Sequence, residues 1–285
     1  MHRKVSLRIL AVSLSVLITA YVFFAAVVYF KQDEMIFQGS SLPADRQFTF
    51  DVPFEERTVS VDGAELSGIR FTQEDPLGLI FFLHGNGGNI ESWSSGADFY
   101  QRVNYDMFMF DYRGYGKSTG SVSSQAQLHD DVQKAWDSVA PLYGGKPIII
   151  YGRSLGAALA AELATHVDAE KVILVSPFTS MEAIAKAQYP LLPLSLVRYP
   201  LKTFEIIGNI QSPVILVHGD RDRLIPLAHS ESLLKLTNAE SKLLVIAGAG
   251  HSDIHQFKSY LEGLTVELPG LQGYTQVGKS FDTNR

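Results

Sequence analysis

"IIIYGRSLGAALAAELA", residues 148–164, sets one serine, Ser154, between Gly152 and Gly156 at the seam of two runs. The first is short, continuous and apolar, the pattern of a strand buried on both faces. The second is alanine-rich and predicts a helix packed closely on that strand. Ser154 then occupies a sharp strand-to-helix turn, where the first backbone amides of the helix favour a developing negative charge. Two readings fit this seam. Ser154 is a nucleophile on a strained turn whose glycines relieve crowding, or it caps a helix beside two packing glycines.

Other segments repeat the first rhythm. "LGLIFFLHG", "DMFMFDYRG", "KVILVSP", "SPVILVHGD" and "KLLVIAGAG" are apolar runs of strand length, each ending in turn residues. Helix-like stretches lie between them; in "SSQAQLHDDVQKAWDSVAPL", Leu128, Val132, Ala135, Trp136 and Val139 recur at helical spacing. "RTVSVDG" and "AELSGIRF" alternate about an Asp-Gly, which predicts an antiparallel hairpin. Strand and helix alternation implies an α/β fold around a mostly parallel, eight-stranded sheet.

The N-terminus has a different character. Residues 9–30 carry no charge over 22 positions, about 33 Å of helix, enough to cross a bilayer and too long for a signal-peptide core. Arg3, Lys4 and Arg8 precede the span, whereas Lys31 is followed by Asp33 and Glu34. The positive-inside rule predicts a cytoplasmic N-terminus, a signal anchor over 1–30, and a catalytic domain on the non-cytoplasmic side. Residues 31–50 read as a linker, 51–263 as the catalytic domain, and the Gly-rich, polar stretch 264–285 as a tail. A formal net charge of −6 argues against a nucleic-acid partner, and the absence of cysteine excludes disulfides and thiolate chemistry.

In an open parallel sheet, ligands gather beyond the C-terminal ends of the strands. Four such ends carry unusual residues: "HGNGGN" (84–89), "GRSLG" (152–156), "HGDRDRLIP" (218–226) and "GAGHSD" (248–253). A serine hydroxyl needs a base, and His251, in a glycine-rich loop after the last strand, suits one. His84 and His218, each directly before a glycine, read as turn or packing residues. "HSDIH" (251–255) has the spacing of a zinc helix, but Ser252 stands where its glutamate belongs. An acid must orient the histidine, and Asp220 and Asp222 fit equally well on pattern alone. Leu155 and Asn86 offer backbone amides for an oxyanion, the second from a loop whose glycines allow close approach. That loop lacks both the P-loop ending and G-x-G-x-x-G, so neither a nucleotide nor another cofactor is called for.

Together "HGNGGN", "DYRGYGKSTG", "GRSLGAALA", "SPFTSM" with "YPLLP", "HGDRDRLIP" and "GAGHSD" resemble the α/β-hydrolase superfamily. Within it, the chain is similar to the membrane-anchored Bem46-like and ABHD13-like serine hydrolases. The resemblance implies Asp222 as the acid, Ser154 and His251 as nucleophile and base, and the Asn86 and Leu155 amides as oxyanion donors. It also implies a carboxylic ester or thioester substrate. A peptidase or amidase with the same residues, or a non-catalytic tethered binding module, are the rivals. Asp111, Arg113 and Lys117 read as structural. Residues 177–210 are too long for a plain turn and read as a small cap, or as two ordinary connecting helices.

Overall fold

The computed structural model describes residues 2–94, 99 and 102–268 of the 285. Eight strands make the main sheet: β1 Phe54–Val61, β2 Ala64–Phe71, β3 Leu79–Leu83, β4 Asp106–Phe110, β5 Ile148–Arg153, β6 Lys171–Val175, β7 Val214–Gly219 and β8 Ser241–Ile246. Their order is β1-β2-β4-β3-β5-β6-β7-β8. β2 runs antiparallel to both neighbours, as the hairpin reading requires, and the other neighbouring pairs are parallel. The expected mostly parallel α/β sheet is therefore present.

The continuous apolar runs follow from burial on both faces. β3, β4 and β7 are buried along their whole length, whereas edge strand β1 is mostly exposed. Successive side chains divide between two cores. Phe81, Ile150 and Leu174 meet the helices α3 (Gln125–Val139) and α4 (Leu155–Leu163) on one face. Ile80, Tyr151 and Ile173 meet Tyr260 and Leu264 of α8 (Lys258–Glu267) on the other. In α3 the buried residues are the five that helical spacing picks out, with Asp131 added because Arg113 pairs with it.

The N-terminal helix, α1 (His2–Ile36), runs six residues beyond the apolar stretch, into the segment read as linker. Nothing between Lys31 and Ile36 breaks a helix; the next glycine is Gly39. α1 is long and apolar enough to cross a membrane, and its apolar side chains project outward, Phe23 at 70% and Phe30 at 74% exposure. That exposure sets α1 apart from a buried core helix. At its end, Gln38–Gly39 pairs in parallel with Gly87–Gly88 of the "HGNGGN" loop. Ser41 bridges to Gly116.

Among the described residues there are also the shorter helices α2 (Ile90–Trp93), α5 (Met181–Gln188), α6 (Thr203–Ile206) and α7 (Ala228–Leu234). α5, a turn at Leu194–Leu196 and α6 occupy the region read as a cap. α8 covers the first residues of the stretch read as a tail; residues 269–285 lie outside the described residues.

Candidate active site

The seam between β5 and α4 is built by close approach. A Cβ on Gly152 would stand 2.3 Å from the Gly156 carbonyl and 2.6 Å from Ala160 Cβ. One on Gly156 would stand 2.0 Å from the Leu83 carbonyl. Only glycine fits at either place, so strand, turn and helix pack backbone to backbone. Between them Ser154 adopts φ 54° and ψ −116°, a conformation that side-chain-bearing residues rarely hold and that costs about 1–3 kcal/mol. Ser154 occupies the cap position of α4, yet its side chain makes no capping bond. Its hydroxyl lies 3.1 Å from His251 Nε2 instead.

His251 Nδ1 lies 2.7 Å from Asp222 Oδ2. With Nδ1–H donating to the carboxylate, Nε2 is left to accept the Ser154 proton. The turn after β7 brings one of the two aspartates against His251. Asp222 faces His251 with its carboxylate buried, whereas Asp220 is exposed and accepts the Gly248 amide at 2.7 Å. The backbone amides of Leu224 and Ile225 donate to Asp222 Oδ1 at 3.0 and 2.8 Å. Burial pushes the Asp222 carboxyl up, but His218, His251 and the Ile225 amide outweigh it and hold it well below the usual carboxylate range.

Two supporting residues carry more than their sequence signal suggests. His218, read as a packing residue, lies 3.5 Å from Asp222 Oδ2 and is itself fixed by Ser230 Oγ and the Ile225 carbonyl, both at 2.7 Å. Arg153, beside the serine, donates to the His251 carbonyl at 2.8 Å and lies over the Trp93 ring. The spacing of a histidine four residues before the aspartate was the available sign of the first. His255 stands 3.3 Å from Arg153 Nη1, turned toward a cation, which is no arrangement for a metal shared with His251.

The "HGNGGN" loop is clamped from three sides. The Asn86 carbonyl accepts the Gln38 amide at 3.0 Å and the Tyr115 hydroxyl at 2.9 Å. Tyr112 donates to the His84 carbonyl at 2.8 Å, and Asp111 Oδ1 accepts the Ile90 amide at 2.9 Å. The loop "DYRGYG" thus braces this one, in keeping with a structural role for Asp111. Arg113 forms a two-point pair with Asp131, and Lys117 pairs with Glu56. Among the described residues, the Asn86 and Leu155 amides have no recorded acceptor, as an oxyanion would require. Burial pushes Asp111 up to about 7 and His84 down to about 4.

Two cavities meet at Ser154. One, of about 590 Å³, adds Trp93, Arg153, His251, Ser252 and His255. The other, of about 410 Å³, adds Leu155, Val28 and Gln32 of α1, and Ile184 and Leu192 of the cap region. Helical connections packed on the sheet thus also wall a space beside the serine.

Residues 74–205 match the family described as Serine aminopeptidase, S33. Alpha/beta hydrolase domain-containing protein 17B of Xenopus laevis is 34% identical over 191 residues, 65% of this chain and 64% of that protein. The match thus spans just under two thirds of that relative's length. Protein 17C of the same name in Mus musculus is 30% identical over 222 residues, 72% of this chain and 67% of its own. Among solved structures, an esterase of Pyrococcus furiosus superposes with a TM-score of 0.66 at 18% identity, covering 81% of this chain and 95% of its own. Est1E of Butyrivibrio proteoclasticus, solved with ferulic acid, gives 0.61 at 20% identity, covering 74% and 95%. At such identities these structures share the fold alone.

Proposed function

The chain belongs to the alpha/beta hydrolase family, and from that premise we propose that it is a membrane-anchored serine hydrolase cleaving carboxylic ester or thioester bonds. The observation that carries this reading is the continuous hydrogen-bonded line Ser154–His251–Asp222. His251 Nε2 takes the Ser154 proton as Oγ attacks the substrate carbonyl, and Asp222 stabilises the imidazolium. The Asn86 and Leu155 amides receive the oxyanion. Collapse of the tetrahedral species breaks the ester C–O or thioester C–S bond, and His251 returns its proton to the leaving group. Water, deprotonated by the same histidine, then attacks the acyl-serine and releases the acid.

In this reading α1 serves as the anchor, and the basic residues before its apolar stretch favour a cytoplasmic N-terminus with the catalytic domain on the opposite side. Protease added to intact spheroplasts is expected to digest the catalytic domain; protection would reverse the orientation. For the chemistry, a fluorophosphonate should label the wild type and not Ser154→Ala. Equal labelling of both would remove Ser154 as the nucleophile. The name of the matched family favours one second reading, a peptidase. Faster turnover of aminoacyl amides than of esters and thioesters by the same protein would select it.

A further inference from the structure

α1 and the cap region are joined by side chains, not merely by sequence. Gln32 Nε2 donates to the Leu196 carbonyl at 2.7 Å, and Gln32 Oε1 accepts the Arg198 amide at 2.9 Å. Arg198 pairs with Asp33 at 3.0 Å. Deeper along the apolar stretch, the Phe24 and Tyr189 rings lie 6.4 Å apart, and the Tyr21 hydroxyl donates to the Leu191 carbonyl at 2.8 Å. Tyr21 precedes Phe30 by nine residues, about 14 Å along a helix axis. Helical side chains tilt toward the N-terminus, so its hydroxyl lies no shallower than its backbone. If the apolar stretch crosses a bilayer, "YPLLP" of the cap lies inside that bilayer. Its composition agrees: Leu191 is 79% exposed, the neighbouring Leu192 is buried, and no residue of the segment is charged.

Leu192 also lines the 410 Å³ cavity, together with Val28, and so do Ser154 and Leu155. The same space therefore touches both Ser154 and the apolar part of α1. Its wall also includes the apolar Ile36, Phe178, Met181 and Ile184, beside the polar Gln32, Gln38 and Gln188. The volume falls in the ordinary range for a ligand site. The 590 Å³ cavity carries Arg153 and His255 among aromatic and apolar residues and leaves room on that side of Ser154 for the leaving group.

We propose that the cavity between α1 and the cap is the acyl site, and that a long acyl chain enters it laterally from the bilayer between Val28 and Leu192, with Leu191 immersed in lipid. The proposal rests on the serine-hydrolase reading and on α1 as the span. The scissile carbonyl stops at Ser154, where the amides of Asn86 and Leu155 converge, and the leaving group projects into the Arg153 side. Each further buried methylene adds to binding, so preference rises with chain length until the cavity is filled.

The test uses the full chain in phosphatidylcholine vesicles, with Val28→Trp and Ile184→Trp narrowing the cavity from its two walls. The ratio of kcat/KM for p-nitrophenyl palmitate to that for p-nitrophenyl butyrate is expected to fall at least tenfold in each variant. An unchanged ratio in both overturns the acyl site. A short-chain fluorophosphonate reports Ser154 separately: a wild type that fails to label defeats the serine-hydrolase reading itself, whereas a labelled enzyme with an unchanged ratio defeats only this proposal. Palmitoyl release is then compared between phosphatidylcholine and an S-palmitoyl peptide in the same vesicles. Turnover of either supports lateral entry and identifies the donor; turnover of neither, by a protein that hydrolyses soluble butyrate, overturns it. Because the chain has no cysteine, Leu191→Cys takes a single fluorophore at an exposed site. Quenching by spin-labelled lipid and not by aqueous iodide is expected, and the reverse overturns the immersion of the cap.

Discussion

Gly156→Ala adds one methyl group at the place where α4 rests against β3. The new Cβ would stand 2.0 Å from the Leu83 carbonyl oxygen and 2.5 Å from that of His84, both backbone atoms. Ordinary contact begins near 3.4 Å, so the first turn of α4 must retreat by more than 1 Å. Overpacking of this kind costs about 1–3 kcal/mol. Alanine recovers up to about 1 kcal/mol of helix propensity, leaving a modest net destabilisation that the fold survives. The catalytic geometry does not survive it. The retreat carries Ser154 away from a partner already 3.1 Å distant and shifts the Leu155 amide with it. A displacement of about 1 Å costs on the order of 100-fold in rate. The expected outcome is a folded protein whose fluorophosphonate labelling rate and ester kcat/KM fall by about that factor. Thermal unfolding followed by circular dichroism supplies the stability arm. Labelling at the wild-type rate would refute the claim that backbone contact at Gly156 fixes the serine.

Two further substitutions address the acid and a buried neighbour. Asp222→Asn is expected to lower kcat by about 10⁴-fold with little change in fold, because the wrong tautomer of His251 is then held. Asp220→Asn, exposed and engaged only with the Gly248 amide, should stay within about threefold of wild type; the opposite ranking would reassign the acid. Asp111 is a question of stability. Its folded pKa, raised by burial from 3.8 to about 7, means that its contribution is intact below pH 4 and is lost as pH rises toward 7. At 1.36 kcal/mol per unit the loss approaches about 4 kcal/mol, of which about 3 accrues above pH 5. Asn in its place keeps an acceptor for the Ile90 amide and does not titrate. Asp111→Asn should therefore gain on wild type between pH 5 and 7.5 in paired melting curves, and a constant difference would contradict the assignment.

The parts of this fold that local pattern reveals are those where pattern has a single physical cause. The run "FFLHG" is continuous because β3 is covered on both faces, and Gly63 between β1 and β2 holds φ +70°, which Asp-Gly announces. Ser154 and His251 are recognisable by position after a strand. Asp222 and Asp220 are not separable that way, since both lie on one turn and only its direction decides which meets His251. Nor does any local signal tie Gln38 to Gly87, because a two-residue ladder carries no periodicity and its partner is 49 residues away. The charges after Phe30 suggest a break, yet Lys31 and Glu34 pair one turn apart and extend the helix.

That ladder has a mechanical consequence. A catalytic domain on a slack tether samples a range of heights above its membrane, and its reach is set by linker length. Here Gln38 and Ser40, immediately after α1, donate to Asn86 and Gly88, and the helix itself is bolted to Arg198. With α1 as the membrane span proposed above, the distance from the lipid boundary to Ser154 would be a fixed dimension of the molecule. On that reading the enzyme would act as a depth gauge, cutting bonds at one level and passing over identical bonds that stand higher.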